Sequence, residues 1–501
     1  MRAFCWTLIL LSLAACETQD VRSNVKVDLA LTDVVIVDPV NGTEIPNQTV
    51  LIRGNQIVAI GSDMTFEAEF EPEVSHLFVA PAPIDSHVHI YDERDLAMYA
   101  AYGIRTVRNM DGWDWHLKLR EEVAGDPLRA QLLTTGSQFQ YGLWESEESL
   151  FSAFEDELNH PYDWVKVYDV LSVEDLHRIA DMTDQMGRQV TGHLPDNMDA
   201  PMALNTGAYH EVAHSEEVFN QLQFVSEDWR QQVKVVADIM VEKDIALATT
   251  LVNNKMIINQ IRDFEGAITN ETVALAPPLL QSFYTSEFNQ YRVDAPSDVI
   301  ERVATNFDGL LEMTAILHEH GVELRAGTDA PNPITPPGDG LLQEIELLHE
   351  AGLTPAQAYA AALPRDLGAE SVVVGASANL VILAENPLDT ASALYSMKGA
   401  VRDGVFANGE KLVSEREALK EAYARDLQIL SVFSPISADP VLAAIEAADD
   451  PQPISREAME SLAWMYMKFG NEVESRRVAV TAIRLYPDDA KALWLLERFS
   501  N

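Results

Sequence analysis

Apolar and polar positions divide the chain into a central region of short strands and helices, flanked by two segments rich in strands. Residues 25–80 contain β-branched runs separated by turn signals such as Asn41-Gly42, a pattern typical of β-hairpins. The same pattern returns in residues 371–413, again with an Asn-Gly pair at its end. We therefore expect one β-sandwich that is completed by both segments.

Residues 81–370 alternate between short apolar runs and amphipathic helical segments. Eight runs have the character of strands: residues 84–89, 105–109, 131–135, 164–168, 189–193, 209–214, 245–249 and 322–329. Alternating strands and helices predict a parallel sheet, and eight strands are the number in a TIM barrel. The predicted fold is therefore α/β: a (β/α)₈ TIM barrel, a β-sandwich formed from segments on both sides of it, and a small α-helical C-terminal extension, residues 414–501.

The connection between the last two strands is unusually long. It spans about seventy residues, well beyond the usual length of a loop in a compact domain. Its part at residues 253–296 is rich in aromatic residues and has helical character. Two readings stay open at this point: a lid-like insertion over the active-site end of the barrel, or a helical pair packed on its outer ring.

Residues with metal-binding side chains occur at the ends of several predicted strands. They are His87, His89, Lys166, His193, His214 and Asp329. The carboxyl ends of barrel strands meet on one face, where the active sites of this fold lie. Imidazoles and a carboxylate without thiolates suit zinc or a similar divalent ion. Any one of these histidines could instead be a hydrogen-bonded core residue, so the prediction depends on the whole set.

The N-terminus has the features of an export signal. Residues 1–15 combine a positive start with a short apolar core, and Leu13-Ala14-Ala15-Cys16 resembles a bacterial lipobox. This predicts a signal peptide, lipidation of Cys16, a tether at residues 16–24, and a lipoprotein on the periplasmic face of the cell envelope. An ordinary cleaved signal and a short buried helix are the alternatives.

Cysteine content and charge exclude several classes of function. Cys5 and Cys16 are the two cysteines of the chain, so a mature protein that starts at Cys16 has no disulfide and no thiol chemistry. The net charge is −44, from 35 basic and 79 acidic residues. Nucleic acids and anionic membrane surfaces require basic patches. We therefore expect a small-molecule substrate, no nucleic acid, and membrane attachment through the lipid anchor only.

Several motifs jointly resemble the amidohydrolase superfamily, close to its imidazolonepropionase-like and dipeptidase-like branches. The matching segments are Ile84-Asp85-Ser86-His87-Val88-His89, Val165-Lys166-Val167-Tyr168, Gly192-His193-Leu194-Pro195-Asp196, Ala213-His214-Ser215 and Ala326-Gly327-Thr328-Asp329-Ala330. The resemblance implies one Zn²⁺ on His87, His89 and Asp329 and a second on His193 and His214, bridged by carbamylated Lys166. A mononuclear site with an unmodified Lys166 remains the alternative. Pro83 and Asn379 depart from the family pattern, but neither is an expected ligand.

The resemblance also implies the reaction. We expect a metal-dependent hydrolase that cleaves an amide-type C–N bond, in a cyclic amide or small peptide, by attack of a metal-activated hydroxide. Asp329 is the expected general base, and His214 or a metal would polarise the scissile carbonyl. An esterase or phosphotriesterase-like activity is the alternative, since the same nucleophile attacks several electrophiles.

Residues in or after the early strands could contact the substrate. Tyr168 lies two residues after Lys166, where it could donate a hydrogen bond to the substrate or simply pack in the barrel. Arg108, Asn109 and Tyr141 are weaker candidates. His210 lies deeper on the strand of His214 and is expected to be structural. No role is assigned to the histidines that fall in helical or loop segments, which are His116, His160, His177, His318, His320 and His349.

The C-terminal residues resemble one tetratricopeptide repeat. The matching positions are Leu462, Ala463, Tyr466, Ser475, Ala479, Ala482 and Pro487. A single repeat cannot form a solenoid and must pack on other helices or on the barrel. If these helices bind a protein partner or mediate oligomerisation, the chain could instead be a surface-attached interaction protein with a vestigial metal site.

Overall fold

The strands that the structure describes belong to two sheets. The computed structural model describes residues 25–140, 146–223 and 228–498, so the predicted signal peptide, Cys16 and Tyr141 lie outside the described residues. The described strands are, in chain order, β1 (Val25–Asp38), β2 (Thr43–Arg53), β3 (Gln56–Gly61), β4 (Phe66–Phe70), β5 (Phe78–Pro81), β6 (Ile84–Val88), β7 (Thr106–Asn109), β8 (Gln131–Phe139), β9 (Trp164–Val167), β10 (Gln189–Gly192), β11 (Glu211–Ala213), β12 (Ala246–Ala248), β13 (Leu324–Arg325), β14 (Leu380–Leu383), β15 (Met397–Arg402) and β16 (Val405–Asn408).

Helices connect the central strands and form the C-terminal part. Those described are α1 (Asp95–Ala101), α2 (Asp114–Val123), α3 (Glu147–Leu158), α4 (Val173–Met186), α5 (Ala200–Asn205), α6 (Ser215–Gln223), α7 (Trp229–Glu242), α8 (Leu251–Arg262), α9 (Phe264–Ile268), α10 (Pro278–Thr285), α11 (Ser297–Glu319), α12 (Asp339–Glu350), α13 (Pro355–Ala360), α14 (Gly409–Leu430), α15 (Asp439–Ala447), α16 (Arg456–Lys468), α17 (Glu472–Leu485) and α18 (Ala490–Arg498). The described part of the chain also contains three 3₁₀ helices, at Glu271–Leu275, Arg365–Leu367 and Ala391–Ser396. Among the described helices, none is both long enough and apolar enough to cross a membrane.

The central sheet is the predicted barrel. Strands β6 to β13 pair in sequence order, and every pair is parallel. Backbone hydrogen bonds bring its first and last strands together, including Asp329 N–H to the carbonyl of His87 at 2.8 Å and His89 N–H to that of Ala330 at 2.7 Å. All eight predicted runs are strands of this sheet, so the (β/α)₈ fold class is confirmed. The strand ends carrying His87 and Asp329 therefore lie side by side.

The other sheet joins the two ends of the region around the barrel. Its strand order is β16-β15-β14-β5-β1-β2-β3, and β4 pairs with β1 beside β5. Hydrogen bonds between Ile57 and the backbone of Gly375 and Ala376 tie edge strand β3 to the segment before β14. The sheet therefore curls around an apolar cluster that includes Leu31, Val50 and Ile382. The predicted completion of one β-domain by both segments is confirmed.

Two helical segments pack near the carboxyl end of the barrel strands. Helices α8 to α10 follow β12 and contain most of the insertion at residues 253–296. Helix α10 packs on α14, where Ser282 donates a 2.5 Å hydrogen bond to the Leu430 carbonyl. Helix α16 packs on the loop after β6, where Ser461 donates to the Tyr91 carbonyl at 2.7 Å. The C-terminal helices therefore form part of the wall around the barrel mouth, and the tetratricopeptide resemblance itself stays a prediction.

Candidate metal centre

The six polar residues predicted from the strand ends lie together at the carboxyl end of the barrel. His87 is in β6 and Lys166 in β9, whereas His193 and His214 directly follow β10 and β11. The ring centroids of His87 and His214 are 4.4 Å apart, and those of His193 and His214 are 4.8 Å apart. Parallel strands in register account for this convergence, since each strand ends at the same level of the sheet.

Asp329 is the carboxylate at the centre of this group. Its Oδ1 lies 3.1 Å from Nε2 of His87 and 3.0 Å from Nε2 of His89. Burial alone would raise the pKa of Asp329, but His89 and His87 outweigh it and hold that pKa well below its usual range. Asp329 is therefore an anion at neutral pH and can serve as a metal ligand or as a proton acceptor.

Backbone conformation aims these side chains inward. His214, Thr250 and Asp329 have φ angles of 71°, 49° and 58°, in the left-handed region that residues other than glycine rarely adopt. Each lies just beyond a barrel strand. Such a conformation costs ~1 kcal/mol per residue and is characteristic of functional sites. Here it turns the ends of three consecutive strands toward one another.

Two glycines allow the strands to approach closely enough. A Cβ on Gly192 would lie 2.0 Å from the Val167 carbonyl oxygen, and one on Gly327 would lie 2.8 Å from Cβ of His87. A side chain at either position would push its strand away from the neighbouring one. This explains physically why glycine precedes His193 and stands two residues before Asp329.

The imidazoles fit a bound cation better than a core of hydrogen-bonded histidines. Among the described side chains, Nδ1 of His87 and Nδ1 of His89 are buried without a hydrogen-bond partner, and Nε2 of His87 lies 3.1 Å from the Asp329 carboxylate without a well-aligned hydrogen bond to it. Buried polar atoms normally have partners. A divalent ion would satisfy these nitrogens, because imidazole nitrogen is a common ligand of zinc and similar metals.

The other two histidines are oriented through Nδ1. Nδ1 of His193 lies 2.7 Å from the Asp169 carboxylate and 3.2 Å from the Glu217 carboxylate. Nδ1 of His214 lies 2.8 Å from the Thr250 hydroxyl. This arrangement leaves Nε2 of each ring available, as in metal sites where a carboxylate holds the histidine. Burial lowers the pKa of His193 to about 4 and that of His214 well below its usual range. Both rings are therefore neutral at pH 7, the form that binds metal.

Two groups of side chains have potential ligand atoms close enough for a metal ion. One consists of His87, His214 and Asp329, and the other of Asp169, His193 and Glu217, with all ligand atoms of a group within 4.8 Å of one another. The first group differs from the expected pairing of His214 with His193, since His214 lies with His87 and Asp329. The assignment of ligands to one or two ions stays a prediction.

Lys166 lies inside the barrel beside this centre. Its side chain is almost fully buried. Burial lowers the pKa of Lys166 to about 8, against the opposing effect of Asp329 and Asp111. A substantial fraction of the amine is consequently neutral near pH 8, and the neutral amine is the form that reacts with CO₂.

Tyr168 packs on one of the predicted ligands. Its ring centroid lies 4.0 Å from that of His193. Burial and the Asp169 carboxylate raise the pKa of Tyr168, so its hydroxyl keeps its proton at neutral pH. Tyr168 can therefore act as a hydrogen-bond donor at the edge of the centre.

Two weaker candidates have other roles. Arg108 is fully buried, forms an ion pair with Glu211 inside the barrel, and donates a 2.8 Å hydrogen bond to the Ser86 carbonyl. The predicted substrate contact is therefore wrong for Arg108, which links β7 to β6 and β11. Asn109 is buried too and joins Ile90 N–H and the Thr134 hydroxyl, at 2.9 and 3.0 Å, so it supports the loop after β6.

Sequence reasoning missed several residues around the centre. Asp169 and Glu217 hold His193, Thr250 holds His214, and Asn253 donates a 2.7 Å hydrogen bond to Oδ2 of Asp329. Asp169 directly follows Tyr168, and Glu217 lies three residues after His214, so position relative to a strand end could have indicated both. Asn253 carried no such signal.

The insertion contacts the loop after β13, at the carboxyl end of the barrel. The Tyr284 hydroxyl of α10 donates a 3.3 Å hydrogen bond to Asn332, and Gln260 of α8 donates to the Pro333 carbonyl at 2.9 Å. Phe283 also approaches Phe469 at the end of α16, with centroids 6.0 Å apart. The insertion and the C-terminal helices thus meet above the loops that carry the centre.

Comparison with known proteins identifies the fold. No family model matches the sequence, and no curated protein matches it. The bottromycin amidohydrolase structure is similar with a TM-score of 0.63 and 20% identity, over 80% of this chain and 91% of that chain. A Xaa-Pro dipeptidase with bound methionine gives a TM-score of 0.57 and 15% identity, over 76% of this chain and 99% of the other. A. niger ochratoxinase gives a TM-score of 0.55 and 15% identity, over 75% of this chain and 95% of the other.

These similarities define a class of architecture. The chain has the amidohydrolase fold, a TIM barrel with an attached β-domain, and the resemblance seen in the motifs is confirmed at the level of the fold. The clusters of histidine and carboxylate ligand atoms at the carboxyl end of the barrel could hold a metal ion.

Proposed function

We propose that the protein is a metal-dependent hydrolase that cleaves an amide-type C–N bond. The observation that carries the proposal is the convergence of His87, His89, His214 and Asp329 at the carboxyl end of the barrel, with buried imidazole nitrogens that lack hydrogen-bond partners. The amide-cleaving names of several similar structures, a dipeptidase and a prolidase among them, support the choice of bond.

The donor set favours Zn²⁺ as the metal, because neutral imidazoles and a carboxylate are typical zinc ligands. His87, His89, His193, His214 and Asp329 would hold it, with Lys166 as a bridging carbamate if two ions are present. When bound, a divalent ion acts as a Lewis acid and makes water acidic enough to ionise near neutral pH. The burial of Lys166 beside the centre supports the carbamate.

Asp329 would move the proton during hydrolysis. As an anion beside His87 and His89, it accepts a proton from the attacking water while the water oxygen bonds to the carbonyl carbon. When the C–N bond breaks, Asp329 delivers that proton to the leaving nitrogen. Hydrolysis thereby consumes one water and yields a carboxylic acid and an amine.

Tyr168 and His214 would act on the substrate oxygen or on its surroundings. Tyr168 keeps its hydroxyl proton at neutral pH and could donate it in a hydrogen bond to the carbonyl oxygen as charge develops there. His214 is held through Nδ1 by Thr250, so its Nε2 is available to a metal or to that oxygen.

Metal analysis combined with a substrate screen tests the proposal. The purified protein should contain about one to two zinc ions per chain and should hydrolyse members of a pool of dipeptides, N-acyl amino acids and cyclic amides. Asp329→Asn should abolish hydrolysis, whereas Asp298→Asn, at an exposed position on α11, should not change it. Absence of bound metal would exclude the proposal, and activity on lactones or phosphotriesters alone would favour the esterase-type alternative.

We further propose that the protein is an exported lipoprotein anchored through Cys16. The alternative role is that of a surface-attached interaction protein whose C-terminal helices bind a protein partner. The signal-like residues 1–15 support export. Cys16→Ala should release the protein from the membrane fraction, and retention of that variant in the membrane would exclude the lipid anchor.

A further inference from the structure

A lysine of the C-terminal extension lies at the catalytic end of the barrel. Lys468 is the last residue of α16, and its Nζ is 2.5 Å from the carboxylate of Asp111, two residues after β7. The same ammonium lies 5.3 Å from the ring centroid of Tyr91 and 5.2 Å from that of Trp464. An ion pair and two aromatic faces thus fix its position.

Lys468 has neighbours that also contact or act on the predicted metal ligands. The Tyr91 ring stacks on His89, with centroids 6.0 Å apart and an angle of 14° between the rings. Asp111 acts electrostatically on Lys166, and the charge of Lys468 acts on Tyr168, which packs on His193. The Tyr91 ring thus lies next to both the Lys468 ammonium and the His89 ring, and the ammonium is at the same end of the barrel as the predicted ligands.

Lys468 differs from the other cations near the centre in being partly open. Its side chain is 31% exposed, whereas that of Asp111 is 8% exposed, and Lys166 and Arg108 are closed inside the barrel. An ammonium has three N–H donors. Asp111 takes one, and the Tyr91 hydroxyl lies 3.5 Å from Nζ, so a further donor can face a ligand on the open side.

Lys468 is protonated and positively charged at neutral pH. Burial would lower the pKa of Lys468, but Asp111 and Tyr91 outweigh burial and raise it. Acidic side chains also lie at this end of the barrel, among them Asp169 and Glu217 beside His193 and Glu216 beside His214. A negatively charged group of a substrate that binds at this end of the barrel would be attracted to the Lys468 ammonium.

We propose that Lys468 binds a free carboxylate of the substrate, which makes the substrate class N-acyl amino acids and dipeptides rather than neutral amides. This inference rests on the proposed function and narrows it. It also gives the C-terminal helices a role in specificity, because the barrel itself does not contain Lys468.

Binding of matched acids and amides tests this inference without turnover. The probes are the N-acetyl derivatives of glycine, leucine, phenylalanine and proline and their primary amides, titrated calorimetrically into the zinc-loaded full chain. At least one acid should bind about tenfold more tightly than its amide, a difference of ~1.4 kcal/mol. Lys468→Met should remove that difference, because it weakens binding of the acid and leaves binding of the amide unchanged. Lys468→Arg should restore part of the difference in affinity.

The control variant lies on the same helix. Arg456 begins α16 and pairs with Glu93 at 2.9 Å, so Arg456→Met removes the same charge without touching the ammonium site. It should keep the preference for the acid, and thermal unfolding of each variant reports whether α16 stays docked. Equal binding of every acid and its amide to the wild type, or equal weakening of acid and amide in Lys468→Met, would overturn the inference. If the preference for the acid is present but hydrolysis is not, the proposed function fails and the carboxylate site stands.

Discussion

Asn253, in the first turn of α8, donates a 2.7 Å hydrogen bond to Oδ2 of Asp329, whose other oxygen faces His87 and His89. The same amide group donates to the Asn332 carbonyl at 3.0 Å. The helix that begins the long insertion is thus connected directly to the carboxylate proposed to move the proton. Through Asn253, the position of this helix determines which oxygen of Asp329 remains available.

Asn253→Ala should lower kcat by about tenfold or more with little change in KM. The side-chain amide stabilises a charged acceptor, and a hydrogen bond to a charged group contributes about 1.5–3 kcal/mol. Steady-state kinetics on a substrate from the screen measures the effect. Asn254→Ala is the matched control, because Asn254 donates a similar 2.7 Å bond to Glu216. If both variants lose only thermal stability and keep kcat, Asn253 has no part in the reaction.

Gly327→Ala should weaken metal binding and destabilise the protein by about 1–3 kcal/mol, as overpacking does in other cores. The added methyl would lie 2.8 Å from Cβ of His87 and 3.0 Å from Oγ of Ser86, and would therefore separate Asp329 from its partners in β6. Zinc retention during dialysis and chemical unfolding measure the two effects. Gly61→Ala is the control, since its nearest neighbour is the flexible side chain of Met64. Full zinc retention in Gly327→Ala would contradict this account of the close approach.

The strands and their terminal residues could be predicted because both depend on local sequence. Each barrel strand is a short apolar run, and parallel strands necessarily bring their carboxyl ends together. His87, Lys166 and His193 follow directly from that rule. The left-handed φ angles of His214 and Asp329 could not be predicted, because tertiary packing imposes them on residues that do not favour them.

The contacts that surround the centre depend on pairs far apart in the sequence. Lys468 and Asp111 are separated by 357 positions, and no local pattern indicates that they meet. Arg108 shows the converse error. A charged residue near a strand end suggests a substrate contact, but Arg108 is fully enclosed inside the barrel, where it pairs with Glu211 of another strand. An enclosed charge and an accessible one cannot be told apart from the local sequence.

Lys166→Ala should lose bound metal and recover part of its activity when short carboxylates such as acetate or propionate are added. The added carboxylate would occupy the space left by the carbamate and supply its oxygens. Metal per chain and kcat with and without propionate measure the effect, and native mass spectrometry of the wild type should show the added mass of one CO₂. Lys255→Ala, which removes a partly exposed lysine of α8, should keep its bound metal, and its activity should not change when a carboxylate is added. Unchanged metal content and rate in Lys166→Ala would rule out the bridging carbamate.

His116 should make the protein sensitive to acid through a group outside the metal centre. Its Nδ1 accepts the Trp113 N–H at 3.0 Å and its Nε2 contacts the Ile90 carbonyl at 2.9 Å, and burial lowers its pKa from 6.5 to about 3. Below pH 6.5 the unfolded chain therefore binds a proton at His116, which the folded chain does not bind until about pH 3. The contribution of neutral His116 to the free energy of unfolding is thus complete above pH 6.5 and is lost as the pH falls toward 3. The loss is about 1.4 kcal/mol per pH unit. His116→Asn should be less stable than the wild type at pH 7, and urea unfolding at several pH values should show that difference shrinking toward pH 4.5. A difference that stays constant between pH 7 and pH 4.5 would mean that His116 is not the group whose protonation opposes folding.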